Sequence, residues 1–284
     1  MSQCLNLPPT AVLMADVQRA LAEDVGSGDV SAALIPESTW ANARIVTREA
    51  GVLCGQAWAA AVFAMLDPQV RLIWQVDEGA NVNPGQILAE VTGPARALLS
   101  GERAALNFLQ TLSGTATATQ RYVAAVAGYT VQILDTRKTL PGLRQAQKYA
   151  VRCGGGQNHR MGLYDAILIK ENHIAAAGGL TVAVQTARRL WPQLPLEVEV
   201  ETLVQLEEAL SLPVDLILLD NFDIPAVFQA VKLTAGRVPL EVSGGVNLAQ
   251  VATLAATGVA RISIGSLTKH LQALDLSMRI QLEV

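Results

Sequence analysis

Residues 214–245, VDLILLDNFDIPAVFQAVKLTAGRVPLEVSGG, read as strand, polar turn, helix, strand and glycine turn. Leu216–Leu219 is a short apolar run closed by Asp220-Asn221. Ile224–Thr234 carries apolar residues at helical spacing, and Leu240–Val242 opens a second run that ends in Ser243-Gly244-Gly245. Two apolar strands joined by one helix pair in parallel through a right-handed crossover. The unit recurs on both sides. Val131–Leu134, Ala166–Ile169, Leu196–Val200 and Arg261–Ile264 are further strand-like runs, and Val182–Leu190, Leu203–Leu210 and Leu248–Ala256 are further helices. Six βα-type units in succession favour a barrel over an open sheet, and six is short of the eight that close one, so the expected fold is α/β with an open, incomplete barrel.

The chain before this region has another texture. Ala11–Asp24 is helical until Gly26-Ser27-Gly28, and short β-rich runs follow at Ala43–Val46, Val70–Trp74 and Ile87–Val91, with a helix at Gln56–Leu66 between them. Pro94–Ala127 is helical, with a break expected at Ser113-Gly114. This mixture predicts a smaller α+β domain ahead of the barrel. Asp77–Gln86 resembles the turn passages of lipoyl and biotinyl domains, but no lysine sits at its tip, so it reads as structural.

Composition narrows the function. A formal charge of −4 disfavours nucleic acid and anionic membrane as partners. No apolar run reaches the ~18 residues of a membrane helix. Cys4, Cys54 and Cys153 are odd in number, lack CxxC spacing and follow no secretory leader, which points to a reducing, cytoplasmic setting. The same cysteines with His159 and His173 show no tetrahedral ligand spacing.

The polar residues fall where a barrel would use them. The runs end in Asp135-Thr136-Arg137-Lys138, Lys170-Glu171-Asn172-His173, Glu199 with Glu201, Asp220-Asn221, Ser243-Gly244-Gly245 and Gly265-Ser266. Loops at the carboxyl ends of barrel strands build the active site, and the last two commonly bind a phosphate through backbone N–H groups. Arg137, Lys138, His159, Arg160 and Lys170 form a cationic group in an acidic chain, which implies a polyanionic small ligand. Glu199, Glu201 and Asp220 can hold Mg²⁺, accept from sugar hydroxyls or stabilise a cationic transition state. A glycosidase carboxylate pair is the rival reading, and the neighbouring cations fit phosphate chemistry better.

Asp135–Arg144, Lys148–Val151, Cys153–Gly156 and Asn158–Asp165 resemble the signature stretch of quinolinate phosphoribosyltransferases. The likeness continues through Ile169–Ile174, Glu197–Glu201, Leu219–Phe222, Glu241–Val246 and Leu267–His270, and reaches back to Gly101–Asn107 and to Glu23-Asp24 and Gly28–Val30. A family associated with molybdenum transport genes shares part of the pattern, but Tyr164-Asp165 and Lys170–His173 favour the quinolinate enzymes. The resemblance implies an N-terminal α/β sandwich domain (1–105) completed by the C-terminal strand (271–284), and an open α/β barrel (106–270). It implies transfer of a phosphoribosyl group from 5-phosphoribosyl 1-pyrophosphate to quinolinate with decarboxylation, Mg²⁺ as cofactor, and a homodimer or higher even oligomer with shared active sites. It assigns quinolinate to Arg103, Arg137, His159 and Arg160, places Lys138 and Lys170 beside both substrates and the pyrophosphate, and counts Thr136 among the substrate-binding residues. Lys138, Lys170, Glu199 and Asp220 are the expected catalytic set, with Glu199 and Asp220 toward ribose and metal. The 5-phosphate falls to Ser243, Gly244, Gly245, Ile264, Gly265 and Ser266.

Overall fold

The computed structural model describes residues 6–282, so Cys4 lies outside the described residues. Contacts divide the chain into two units. The first runs to Gln120 and adds Thr139–Gly155 and the chain from Thr268; the second holds Arg121–Lys138 and Gly156–Leu267.

The first unit is built on a four-stranded antiparallel sheet in the order Leu276–Leu282, Trp40–Thr47, Ile87–Pro94, Arg71–Trp74. Along Trp40–Thr47 the side chains alternate. Ala41, Ala43, Ile45 and Thr47 are buried, while Asn42 and Arg44 face out. A strand half in the core needs this period of two. The buried face shares one core with Leu13 and Val17 of the helix Thr10–Asp24, Trp58 and Phe63 of the helix Gln56–Leu66, and Leu98 to Leu112 of the helix Ala95–Ala125. As the resemblance implies, the strand Leu276–Leu282 completes this sheet. Within Asp77–Gln86, Asn81–Val82 pairs with Gly51–Val52, and Glu78 accepts the N–H groups of Gly55 and Gln56 at 2.8 and 3.2 Å. That segment is structural.

The expected break at Ser113-Gly114 is absent: Ala95–Ala125 is one helix of 31 residues. Its small residues serve close approach instead. A Cβ on Gly114 would stand 2.2 Å from the Gln272 carbonyl oxygen. The Ser113 hydroxyl accepts from the Cys54 N–H at 2.9 Å and donates to the Cys54 carbonyl at 3.2 Å.

All six expected strands form, and they make one parallel sheet in the order Gln132–Leu134, Arg261–Ser263, Leu240–Ser243, Leu216–Asp220, Leu196–Val200, Ile167–Ile169. First and last strands pair, whereas first and second do not. The barrel is therefore open at that seam. On that side Gln157 bonds to the first strand, donating to the Ile133 carbonyl at 2.8 Å and accepting from the Asp135 N–H at 3.2 Å. The helix that follows the first strand, Arg144–Cys153, escaped the sequence reading. It buries Ala146, Tyr149 and Ala150 in the core of the first unit, with Tyr149 tilted against Trp58 at 5.5 Å between ring centroids.

The remaining crossovers start sharply. Thr202, Asp223 and Asn247 cap the helices Leu203–Ala209, Ile224–Thr234 and Leu248–Ala255 by accepting the N–H groups of Gln205, Ala226 and Gln250. Each cap satisfies a donor that the first helical turn leaves open. It also fixes where the preceding loop must end.

Substituting Gly114→Leu forces the helix away from residue 272. Overpacking of this kind costs on the order of 1–3 kcal/mol, so the urea midpoint should fall clearly below that of the parent protein; an unchanged midpoint would show that the 271–272 segment yields freely.

Candidate active site

Within the second unit the strand ends surround a cleft of about 150 Å³. Arg137, Lys138, His159, Arg160 and Lys170 line it together with Glu199 and Thr136, and Ser243 and Ser263 line it from the fifth and sixth strands. The cationic group proposed from sequence is thus brought together in space. A larger hollow of about 650 Å³ lies over the outer face of the antiparallel sheet, but its Arg44 already pairs with Glu90 at 3.3 Å. The smaller cleft holds the denser chemistry.

Lys170 ends the second strand, its backbone N–H donates to His173 Nδ1 at 3.0 Å, and its ammonium pairs with Glu199 Oε2. His173 is therefore a helix-start partner, not a ligand in the cleft. Glu199 projects from the third strand and is nearly buried. Asp220 ends the fourth strand in register with Ser243, and its Oδ2 accepts from Asn221 at 2.8 Å. Glu201 lies beyond its strand and is exposed.

The glycine loops have the backbone that phosphate binding requires. Gly244 and Gly245 both adopt positive φ, +98° and +60°, and a Cβ on Gly244 would sit 2.3 Å from Asn221 Oδ1. Only glycine fits there. A Cβ on Gly265 would stand 3.0 Å from Lys138 Cδ, so the second loop lies directly under that lysine. The Ser266 hydroxyl is buried without a hydrogen-bond partner, a donor awaiting an acceptor, while Ile264 is buried in the core of the second unit. Arg103 belongs to the first unit, exposed on the helix Ala95–Ala125.

Two carboxylates that the sequence names without giving them a role, Asp135 and Asp165, organise the His159–Arg160 loop. Asp135, fully buried, accepts from Asn158 Nδ2 at 2.5 Å and from the His159 N–H at 3.0 Å. Asp165 accepts the N–H groups of Met161 and Gly162 at 2.6 and 2.9 Å. Arg160 donates to the Ala166 carbonyl at 3.1 Å. Burial, and then the charge of Arg137, lower the proton affinity of the Arg160 guanidinium. Crowded cations of this kind are relieved by a bound anion.

Beneath them His159 Nε2 lies 2.9 Å from Glu197 Oε2 and 3.5 Å from Glu241 Oε1. Burial, then the neighbouring Glu197, raise the Glu241 carboxyl from its ordinary value of 4.5 to about 7. A further group of potential ligands, Cys54, Glu78 and Cys153, gathers in the first unit with Cys54 buried. Neither triad shows in residue spacing. Among the described residues no helix is long and apolar enough to cross a membrane.

Comparison with known proteins agrees over most of the chain. Residues 29–113 match the model of the quinolinate phosphoribosyl transferase N-terminal domain, and residues 115–279 that of the C-terminal domain. A Mycobacterium leprae protein named nicotinate-nucleotide pyrophosphorylase (carboxylating) is 44% identical over 269 residues, 92% of this chain and 95% of its own. Tobacco quinolinate phosphoribosyltransferase (decarboxylating) 1b is 39% identical over 297 residues, 97% of this chain and 84% of its own. The structure of nicotinate-nucleotide pyrophosphorylase from Francisella tularensis superposes with a TM-score of 0.95 at 43% identity, covering 99% of this chain and all of that one.

Because the native Glu241 holds its proton up to about pH 7 while the unfolded residue releases it near 4.5, folding stability should fall as pH rises through that window and the full penalty should stand above it. Glu241→Gln carries no such penalty. Its melting temperature relative to the parent should therefore climb between pH 4.5 and 7; a difference that stays constant with pH would show that Glu241 titrates normally.

Proposed function

The chain belongs to the quinolinate phosphoribosyltransferase family, and we propose that it joins the ring nitrogen of quinolinate to the ribose C1 of 5-phosphoribosyl 1-pyrophosphate, releasing pyrophosphate and CO₂ and leaving nicotinate mononucleotide. The observation that carries this reading is the cleft where Arg137, Lys138, His159, Arg160 and Lys170 converge opposite Glu199, with glycine turns at the next strand ends. Quinolinate brings two carboxylates and the donor brings phosphate and pyrophosphate. Such a set of anions needs this density of cations.

In this reading Arg137 and Arg160 hold the carboxylates and aim the ring nitrogen, so that positioning supplies much of the rate, while His159, its ring nitrogens turned to the Arg160 N–H and to Glu197, supports Arg160 from within the cleft wall. Lys138 and Lys170 meet the leaving pyrophosphate. Glu199 and Asp220 accept from the ribose hydroxyls, and their charge favours the positive character that develops at C1 as the bond to pyrophosphate lengthens. Thr136, Ser243, Gly244, Gly245, Gly265 and Ser266 take the 5-phosphate, and the buried hydroxyl of Ser266 is suited to donate to it. Once substituted, the cationic ring nitrogen stabilises the electron pair left on C2 as the C2–carboxylate bond breaks and CO₂ departs, and a proton from solvent then bonds to C2, so no protein nucleophile is needed.

Mg²⁺ fits the donor set. Glu199 gives one oxygen to Lys170 and Asp220 one to Asn221, which leaves each with another. Two carboxylates completed by substrate phosphates or water are usual for this ion. When bound it would neutralise charge on the pyrophosphate. The setting we propose is cytoplasmic, and the assembly a homodimer or higher even oligomer.

The decisive assay follows quinolinate consumption, which should require both 5-phosphoribosyl 1-pyrophosphate and Mg²⁺ and should release CO₂. Nicotinate should be used roughly a thousandfold less well, because cations built for two carboxylates would be left unpaired by one; comparable turnover would defeat the reading. Asp220→Ala should lower turnover by roughly 10²-fold with quinolinate affinity nearly intact, and a large loss of quinolinate binding in calorimetry would reassign Asp220.

Arg103 has no place at a strand end of the barrel, and we propose that it serves the site of a partner subunit. Arg103→Ala and Lys138→Ala homodimers should each be nearly inactive, while their mixed dimer has one site free of both changes and should recover part of the activity. Mixed dimers confirmed by mass spectrometry yet still inactive would return Arg103 to its own chain.

A further inference from the structure

We infer that Glu197 and Glu241, buried under the cleft, are positioning residues for quinolinate: they hold the His159 imidazole with its proton on Nε2 and so fix the backbone from which Arg160 reaches its ligand. The inference rests on the proposed transfer to quinolinate.

The argument begins with the two ring nitrogens. A neutral imidazole has one donor and one acceptor. The Arg160 N–H donates to His159 Nδ1 at 2.7 Å, so Nδ1 is the acceptor, since a proton there would face the amide hydrogen. The remaining proton sits on Nε2, which points at Glu197 Oε2 and Glu241 Oε1 at 2.9 and 3.5 Å. Both nitrogens are thus engaged by the protein, and each engagement sets the other.

The carboxylates come from strands that do not touch. Leu196–Val200 and Leu240–Ser243 flank Leu216–Asp220, with Glu197 in register with Leu216 and Glu241 with Leu218. Glu241 is wholly buried, with the Ser263 side chain and His159 Nε2 as its polar neighbours, and Glu197 Oε1 is buried and unpartnered. Apolar side chains would fill these positions with less penalty than two carboxylates. What the carboxylates supply, and leucine could not, is an acceptor for the Nε2 proton. Above His159 the loop continues the same chain of support, since Asp135 accepts the His159 N–H and Asp165 accepts the N–H groups of Met161 and Gly162. Arg160 is therefore held from both sides of its own residue.

The test compares Glu197→Leu and Glu241→Leu, which remove the acceptor, with Glu197→Gln and Glu241→Gln, which keep an acceptor oxygen. The leucine variants should raise the quinolinate Kd and KM roughly tenfold or more, as loss of one buried hydrogen bond would, with the KM for 5-phosphoribosyl 1-pyrophosphate nearly unchanged and the glutamine variants close to the parent. An unaffected quinolinate Kd in the leucine variants, equal rises in both KM values, or glutamine as damaging as leucine would each overturn the inference. Nitrogen-15 NMR of the parent gives a second reading that needs no variant to fold: among the three histidines, His159 should show the Nε2-protonated tautomer, and an Nδ1-protonated ring would also overturn it. If the parent fails to bind quinolinate at all, the activity itself is misread, whatever the tautomer proves to be.

Discussion

The pairing of Gln132–Leu134 with Arg261–Ser263 is the constraint on which the site depends. It brings the first strand of the sheet beside the last, and so leaves the opening between the first and second strands. Lys138 and Gly265 follow the two paired strands and therefore meet, with the lysine stem lying against the glycine. At the opposite edge Lys170 follows Ile167–Ile169 and meets Glu199 of its neighbour. The sheet order thus decides which cation stands over a phosphate turn and which stands against a carboxylate. On the open side of the first strand lies Gln157, whose backbone bonds locate the start of the loop that carries His159 and Arg160.

Electrostatics give the cleft its direction. Cations outnumber carboxylates along its wall, and the carboxylates are already engaged: Glu199 with Lys170, Glu197 with His159. The potential left over is positive, although the chain as a whole is acidic. An anionic substrate entering such a cleft meets the field only near the mouth, because the long-range field is screened and of the other sign. Selection among anions then falls to geometry, which the rigid strand ends and capped helices supply.

Much of this was legible in the residues. The six parallel strands could be read because each is a short apolar run ending in polar residues, a pattern that burial on both faces imposes. The cations at the strand ends could be read for the same reason. What escaped has physical causes. The helix Arg144–Cys153 buries six consecutive residues, 146–151, and two of them are the polar Gln147 and Lys148, so its apolar period is faint. Ser113-Gly114 looked like a break because small residues also end helices; here they admit Cys54 and Gln272. Glu197 and Glu241 sit inside strands, where a charged residue ordinarily faces solvent, and only the fold of the open sheet brings them together under His159. Residue 105, the expected end of the first domain, falls within the helix Ala95–Ala125, whose later turns reach the core of the second unit through Tyr122 and Val123.

The strand Leu276–Leu282 has a consequence in time as well as in space. It forms one flank of Trp40–Thr47, yet it is synthesised after every other described element. Until then Trp40–Thr47 is an edge, with its outward N–H and C=O groups open to any passing strand. The first sheet therefore waits on the ribosome while the sheet of the second unit, whose strands all lie within residues 132–263, can already assemble. Vectorial synthesis inverts the order of these elements: of the two sheets, the one whose strand Trp40–Thr47 is made first is completed last.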